Sequence, residues 1–494
     1  MNGEIVQNLK LLSPELVLVF FLVVLFTVDS IWEQTRKNFV PLAVVFAACL
    51  LGTVATCWVS KTAPTVFFSG LVANDNFSAF FRYVFLFSCA AGMYLAFGSK
   101  ELEKQNRMEF ALLIVCVTFG MSLMAISTHL LMLYIGIETV SILSFVMAGF
   151  KSEDLRASEA SFKYFIFGAF ASALMLYGFS LLYGLTGSLQ YGEIAQYVQA
   201  NLGNMPYLLP LSLILVYSGL AYKISAFPMH FWTPDVYEGA PTPVASFFSV
   251  APKAAGLAAI LRFFLDILSY DAASGSWKAI GGEQLVSVVA VLSAITMTVG
   301  NLSAIGQNSV KRMLAYSSIA HVGYMLMGIL TLDTFGLGAI LFYIIAYCAM
   351  NFGAFWVVSI VADLKGSDRL DAFRGLGWSM PILGVTMVIF LASLAGIPMF
   401  SGFIGKMLIF GAIVKTPGLL WLAVLGVLNS VVSLYYYAKI LRELWLEGRE
   451  PGTASELSIY HGVALVGLAI PTVVLGLWFA PVIHFVERSI ATIL

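Results

Sequence analysis

The sequence has 494 residues, of which 60% are apolar and 11% are charged, and its formal net charge is −1 at pH 7. An ordinary soluble domain carries about 25% charged residues, so this chain could not cover a water-facing surface without exposing large apolar patches. The composition excludes a soluble enzyme, and the near-zero net charge gives no basic footprint for nucleic acid. We expect a single integral membrane domain over residues 1–494.

Apolar stretches of about 20 residues recur along the whole chain and predict an all-α polytopic membrane protein with about 14 transmembrane helices. The N-terminus has no basic region followed by a small-residue cleavage site, and its first apolar run, Leu16 to Ile31, is long enough that we expect it to remain in the membrane. The predicted spans are 14–32, 39–60, 77–98, 108–127, 129–150, 163–184, 207–231, 241–264, 283–304, 311–331, 335–362, 378–414, 418–445 and 459–486.

Lysine and arginine residues are divided unequally between the two sides of these spans. Fourteen follow odd-numbered spans and seven, Arg82 and Arg262 among them, are assigned to the other side. Cytoplasmic loops retain positive charge, so both termini are predicted to lie on the outer face.

Five cysteines are scattered through apolar segments without the spacing of a metal or iron-sulfur site. We therefore expect them to be small core residues and the chain to hold no metal and no cofactor of its own. They are Cys49, Cys57, Cys89, Cys116 and Cys348.

Four ionisable residues lie deep within predicted spans: Glu138, Lys223, Lys253 and Lys406. A charge at the centre of a membrane helix costs about 2.5–3.5 kcal/mol on insertion scales, so several in one chain indicate function. Lys163 lies nearer the inner end of its span, and its stem allows the ammonium group to reach the interface.

Two prolines lie inside predicted spans, Pro228 in the seventh and Pro398 in the twelfth. Proline lacks the amide hydrogen and clashes with the carbonyl four residues earlier, so both helices are predicted to break. In a membrane such breaks survive where protein or water satisfies the backbone, which is typical of transporter sites.

The segments around these prolines are similar: residues 226–229 read AFPM and residues 396–399 read GIPM. They are five helices apart, and an odd offset gives the second copy the opposite orientation in the membrane. The pattern predicts two inverted five-helix repeats, 107–264 and 283–445. The remaining parts are an N-terminal unit of three helices, 1–106, and a C-terminal helix at 459–494.

Proton transfer suits residues of this kind. Burial disfavours the charged form of lysine, whereas a neighbouring carboxylate favours it, so Glu138 and Lys223 could act together as a switch. His321 could extend the path because histidine titrates near neutral pH. Lys311 and Lys163 are further candidates for a relay, with a packing role as the alternative for all three.

Two long motifs carry a family resemblance: HFWTPDVYEGAPTPV at 230–244 and KRMLAYSSIAHVGY at 311–324. Shorter ones are LLSPE at 11–15, KYF at 163–165 and YGLTGS at 183–188. With these motifs the chain resembles the antiporter-like, proton-translocating membrane subunits of respiratory complex I, the bacterial NADH-quinone oxidoreductase, and within them the N-type branch. The resemblance covers nearly the whole length.

The resemblance implies fourteen helices, two inverted repeats and a proton path along the membrane midplane through Glu138, Lys223, Lys253 and Lys406. It implies a place in the bacterial inner membrane beside other complex I membrane subunits, including neighbouring antiporter-like ones. NADH, FMN, iron-sulfur clusters and quinone would be bound by other subunits, and quinone reduction there would drive the protons.

Two alternatives remain open from the residues. Related subunits occur in multisubunit sodium/proton antiporters and in membrane-bound hydrogenases, although residues 232–244 favour the complex I members. A structural scaffold, in which the internal charges only hold helices together, is the alternative from another class of protein.

Overall fold

The computed structural model describes residues 2–34, 38–103, 105–201, 207–271, 277–279, 282–448 and 457–493. Within these ranges most of the backbone is helical, in agreement with the all-α class. Lipid offers no hydrogen bonds to peptide groups, so an apolar chain satisfies them within its own helices.

The described part of the chain contains twenty α-helices. The first ten are α1 Asn2–Leu11, α2 Ser13–Ile31, α3 Val40–Val59, α4 Asn76–Gly98, α5 Arg107–Ile126, α6 Leu130–Ala148, α7 Leu155–Thr186, α8 Tyr191–Ala200, α9 Leu208–Ile224 and α10 Trp232–Gly239. The others are α11 Thr242–Leu268, α12 Gly282–Ile305, α13 Val310–Ile329, α14 Thr334–Lys365, α15 Leu376–Ser379, α16 Pro381–Ala395, α17 Ser401–Lys415, α18 Leu420–Trp445, α19 Ile459–Leu477 and α20 Ala480–Ile490.

Two short antiparallel hairpins lie outside the predicted spans. One pairs β1 Thr65–Phe67 with β2 Val72–Asn74, and the other pairs β3 Ser269–Asp271 with β4 Trp277–Ala279. Two 3-10 turns, Lys100–Leu102 and Leu370–Phe373, lie in other connections.

Eleven described helices are long and apolar enough to cross a membrane, or up to twelve if the bent pair Leu370–Ser379 and Pro381–Ala395 is one span. The sequence predicts fourteen. Two of the three spans missing from this count are the interrupted ones, because α9 has only 17 residues and α16 and α17 have 15 each. The third is α13, which has 20 residues but carries several polar side chains.

The last predicted span, 459–486, is wrong as a single helix. The α19 helix ends at Leu477 and α20 begins at Ala480, with Pro481 in its first turn. Proline has no amide hydrogen and its ring clashes with the carbonyl four residues earlier, so Pro481 cannot continue α19 and lies in the first turn of a new helix.

The centre of the bundle is formed by α11 and α14, whose most apolar windows are 100% and 94% buried. Other helices, such as α2 and α19 with 28%, turn large apolar side chains outward. In a membrane these outward faces contact lipid, which explains why the chain tolerates them.

The helices of the first and second halves of the chain pack in the same order. In the first half α5 packs on α6, α6 on α7 and α7 on α9, and α11 returns to contact α5. In the second half α12 packs on α13, α13 on α14 and α14 on α16 and α17, while α18 returns to contact α12.

Candidate functional site

Both proline-containing segments interrupt a helix in the structure. Pro228 lies between α9 and α10, and Pro398 lies between α16 and α17. The helix before each break ends in a residue with positive φ, Ser225 at 63° and Gly396 at 86°. Glycine adopts this conformation without a steric penalty, so Gly396 suits the end of α16.

Lys223 occupies the last turn of α9 and its side chain is buried. Its Nζ donates a hydrogen bond to Ser141 Oγ of α6 at 2.9 Å. The stem of Lys223 packs against Gly256 of α11, where an added Cβ would lie 3.4 Å from the lysine Cβ. Gly256 follows Lys253 by nearly one turn, so this close approach brings the two lysine-bearing helices together.

Glu138 lies on α6, three residues before Ser141, and is half-buried. Residues at this spacing share a helix face, so the carboxylate and the serine that binds Lys223 are neighbours. Ser172 of α7 donates a hydrogen bond to Glu138 Oε1. Among the described residues no ion pair joins Glu138 and Lys223, whose hydrogen-bond partners are Ser172 and Ser141.

Lys253 is buried in the central helix α11, directly after Pro252. Its Nζ donates a hydrogen bond to Ser318 Oγ of α13 at 2.6 Å and lies 5.5 Å from the centre of the Tyr237 ring. Pro252 lacks an amide hydrogen, which interrupts the helical hydrogen bonding of α11 one residue before the lysine.

His321 is buried on α13 within hydrogen-bonding distance of two tyrosines. Nδ1 lies 2.6 Å from the Tyr343 hydroxyl, and Nε2 lies 3.3 Å from the Tyr437 hydroxyl. Tyr437 also contacts Ser317 Oγ at 2.5 Å. These hydroxyl groups can each donate and accept, so the histidine is part of a continuous polar cluster.

Lys406 is buried on α17 and folds back onto the end of α16. Its Nζ donates to the carbonyl oxygens of Leu394 at 2.9 Å and Ala395 at 3.1 Å, and to Ser430 Oγ at 2.9 Å. The break frees these carbonyls from helical hydrogen bonds, and the partial negative charge at the end of α16 favours a cation there.

One face of α13 connects Lys253 with Lys406. Ser318, His321 and Tyr324 follow one another at intervals of three residues, which places them along one side of the helix. Ser318 binds Lys253, and Lys406 Nζ lies 4.8 Å from the centre of the Tyr324 ring. Ser318 and Tyr324 are not among the site residues predicted from sequence, although their spacing with His321 within an apolar helix indicates a shared polar face.

Lys311 and Lys163 lie toward the face of the bundle that the sequence predicts to be the inner one. Lys311 Nζ donates to the carbonyl oxygen of Ala240 at 2.8 Å, at the end of α10. Lys163, interpreted from sequence as reaching the interface, forms ion pairs with Glu159 at 2.8 Å and Asp235 at 2.9 Å. The second pair could not be predicted from a local sequence pattern, because its members are 72 positions apart.

Arg82 and Arg262, which the charge count treats as outer-face residues, are buried in the bundle, and this part of the count is wrong. Arg82 Nε lies 2.8 Å from Glu15 Oε1, and Arg262 lies 2.9 Å from Asp75 Oδ2. Each arginine therefore has a buried carboxylate partner, and neither is a loop charge.

The cysteines are all free thiols. Within the described ranges no group of three or more histidine, cysteine, aspartate or glutamate side chains could hold a metal ion.

Comparison with known proteins agrees with this architecture. Residues 127–433 match the family described as NADH:quinone oxidoreductase/Mrp antiporter, TM. "NADH-quinone oxidoreductase subunit N 2" of Sorangium cellulosum (strain So ce56) is 44% identical over 504 residues, covering 98% of each chain. The protein of the same name from Chloroherpeton thalassium (strain ATCC 35110 / GB-78) is 40% identical over 497 residues, covering 99% of this chain and 96% of the relative.

Chains of three solved membrane complexes have a similar fold. A chain of respiratory complex I from Thermus thermophilus with bound aureothin superposes with a TM-score of 0.77 at 30% identity, covering 97% of this chain and 100% of that one. A chain of the archaeal membrane-bound sulfane sulfur reductase gives 0.83 at 26%, covering 98% and 96%. A chain of the Mrp complex from Dietzia sp. DQ12-45-1b, at 21% identity and a TM-score of 0.82, covers 97% of each chain and shows the shared fold.

Broken helices, buried lysines and the match over residues 127–433 define the class: this chain belongs to the NADH:quinone oxidoreductase/Mrp antiporter transmembrane family. Within that family its full-length relatives at 44% and 40% identity are N-type subunits of NADH-quinone oxidoreductases. The family resemblance in the sequence is thereby confirmed.

Proposed function

We propose that this chain is the N-type, proton-translocating membrane subunit of an NADH-quinone oxidoreductase. The observation that carries the proposal is the kind of partner that each buried charge has. Arg82 and Arg262 are paired with carboxylates, whereas Lys223, Lys253 and Lys406 are bound by hydroxyl or carbonyl groups in the described structure. A lysine with neutral partners can release its proton without leaving a buried carboxylate unpaired.

The proposed path runs from Glu138 and Lys223 to Lys253, and from there along α13 past His321 to Lys406. Its hydroxyl groups, on serine and tyrosine, can rotate and exchange donor and acceptor roles. Changes in the position or charge of one member alter the affinity of the next for its proton, because electrostatic interactions are strong in a low-dielectric interior. Quinone reduction in another subunit would supply the driving force.

The finer architecture belongs to the same proposal. Adding the interrupted helices α9–α10 and α16–α17 and the polar helix α13 to the eleven apolar spans gives the fourteen crossings expected from sequence. The repeated packing order supports two inverted repeats at 107–264 and 283–445. In this arrangement both termini lie on the outer face of a bacterial inner membrane.

The proposed partners are the other membrane subunits of the complex, including neighbouring antiporter-like chains. NADH, FMN, the iron-sulfur clusters and quinone would be bound by those other parts. Purification of the native complex tests this directly, because an NADH-quinone oxidoreductase, a sodium/proton antiporter and a membrane-bound hydrogenase would each bring different subunits.

The proton role is tested by replacing Lys223 in the assembled complex. With Lys223→Ala we expect NADH oxidation by an artificial acceptor to continue, while quinone-linked proton pumping falls about tenfold or more, equal to about 1.4 kcal/mol or more in the rate-limiting barrier. Lys223→Arg should fail in the same way, since arginine keeps its charge but cannot release its proton. Pumping would be measured in sealed membrane vesicles.

A matched control is Lys439→Ala. Lys439 is a partly buried lysine whose Nζ donates to the Ile305 carbonyl oxygen at 2.6 Å, outside the proposed path. It should pump at the normal rate. Normal pumping by Lys223→Arg would exclude a proton-carrying role for Lys223, and loss of assembly without a change in pumping per complex would favour the scaffold.

A further inference from the structure

The short helix α10, which follows the first break, is held from both halves of the molecule. Asp235 of α10 forms an ion pair with Lys163 of α7 at 2.9 Å and another with Arg312 of α13 at 2.7 Å. Arg312 also binds Glu238 of α10 at 2.7 Å. The helix α7 belongs to the first proposed repeat and α13 to the second, so one carboxylate is shared between the two.

Further contacts join α10 to the same two helices. Lys311 of α13 donates to the carbonyl oxygen of Ala240, directly after α10. On the opposite side Gly239 packs on α7 so closely that an added Cβ would lie 2.6 Å from the Arg156 carbonyl oxygen. The inner end of α10 is therefore fixed to α7 by packing and to α13 by charge.

The same helix also touches the proposed proton path. The Tyr237 ring lies 5.5 Å from Lys253 Nζ. Trp232 Nε1 donates to the Tyr222 carbonyl oxygen at 3.1 Å, next to Lys223. A displacement of α10 would therefore change the surroundings of both lysines together.

We propose that Asp235 is a positioning residue that couples the two repeats: by binding Lys163 and Arg312 at once, it holds α10 against Lys223 and Lys253. The side chains of Lys163, Asp235 and Arg312 are 38%, 32% and 28% exposed. They are accessible enough for the pairs to break and re-form during turnover. This inference rests on the proposed function and adds a mechanical link to it.

The test uses Asp235→Asn, Lys163→Gln, Arg312→Gln and the double change of Lys163 and Arg312 in the assembled complex. The measured quantity is the number of protons pumped per NADH oxidised, which a defect limited to assembly does not change. Networks of this kind modulate coupling by about twofold to thirtyfold, and we expect each single change to lower the ratio within that range. The double change should lower it no further than the larger single effect, because both residues act through Asp235.

Two control variants accompany these changes. Glu159→Gln removes the other ion pair of Lys163, at 2.8 Å, without touching α10, so the pumping ratio should stay normal. Asp235→Glu keeps the shared negative charge and should restore most of the ratio lost in Asp235→Asn.

Several results would overturn the inference: a normal ratio in assembled Asp235→Asn, multiplicative losses in the double change, or an equal loss in Glu159→Gln. If Asp235→Asn does not assemble, the comparison of the single and double changes at Lys163 and Arg312 decides the matter alone. Normal pumping by Lys223→Ala would instead refute the proposed function. Failure of Lys223→Ala together with normal Asp235→Asn would refute only the positioning role.

Discussion

Charged side chains inside the bundle are of two kinds, and their partners distinguish them. Arg82 binds both carboxylate oxygens of Glu15, at 2.8 and 3.1 Å, and also contacts Asn74 Oδ1 at 3.2 Å. Ser122 donates to the same carboxylate. Every strong donor in this cluster has a fixed acceptor, which is typical of a structural ion pair. In the part of the chain that the structure describes, the lysines on the proposed path are bound by hydroxyl or carbonyl groups.

This difference leads to a stability prediction for Glu15. Glu15→Gln leaves the buried Arg82 charge without its partner, and removal of one member of a buried pair costs about 3–5 kcal/mol. The midpoint of thermal unfolding in detergent should fall clearly. The double change Glu15→Leu with Arg82→Met should recover most of the loss, because no buried charge remains.

A surface pair provides the control for this prediction. Lys151 and Asp154 are 3.3 Å apart with side chains 31% and 37% exposed. Exposed pairs contribute about 0–1 kcal/mol, so Lys151→Gln should leave the midpoint nearly unchanged. A midpoint for Glu15→Gln equal to that of Lys151→Gln would contradict a structural role for the buried pair.

At the scale of helices, the second break depends on close backbone packing as well as on proline. The first turn of α17 lies against the last turns of α16, where Gly402 N donates to Ser393 Oγ at 3.0 Å. An added Cβ on Gly402 would lie 2.0 Å from the Ser393 carbonyl oxygen. Since no side chain fits there, glycine is required for the close packing across the break that brings Lys406 to the end of α16.

Gly402→Ala should therefore destabilise the second break. Forcing a methyl group into a filled interior typically costs about 1–3 kcal/mol, and the contact here is with backbone, which cannot rotate away. We expect a lower unfolding midpoint and reduced pumping, measured on the same vesicle preparation.

Gly411 of the same helix is the matched control, because nothing lies within 4 Å of an added Cβ there. Gly411→Ala should be neutral or stabilising by up to about 1 kcal/mol, since alanine favours the helix over glycine. Equal effects of the two substitutions would show that helix propensity, and not the close contact at Gly402, determines the result.

At the scale of the whole molecule, two central helices are enclosed by helices that face lipid. Both central helices, α11 and α14, are buried on all sides, and α11 carries Lys253. A helix surrounded by protein can carry polar groups that a lipid-facing helix cannot. The bundle therefore places Lys253 where a neighbouring helix supplies its hydrogen bond.

The orientation of the molecule in the membrane is tested by reporter fusions. Both termini should lie on the outer face because positively charged residues are concentrated on the opposite side, fourteen against five once the buried Arg82 and Arg262 are left out of the sequence count. A reporter fused after Leu494 should be active outside the cytoplasm, and one fused after Phe150 should be active inside it. A cytoplasmic reporter after Leu494 would refute the fourteen-helix count and the inverted repeats together.

The sequence by itself determined the membrane class, the positions of most apolar helices and the interruptions at Pro228 and Pro398. These features depend on local properties, namely the length of apolar runs and the missing amide of proline, which act within a few residues. The deep lysines could be selected for the same reason, because the cost of a charge in an apolar span is visible without a fold. The end of α19 was missed because the apolar run continues through the turn.

Only the tertiary structure decided which partners these side chains have. Glu15 and Arg82 are 67 positions apart, and Lys163 and Asp235 are 72 apart, so no local pattern relates them. Helix packing brings each pair together. It also places serine hydroxyl or backbone carbonyl groups beside Lys223, Lys253 and Lys406. Whether a buried charge is structural or able to exchange a proton depends on that partner, which is a property of the packed bundle.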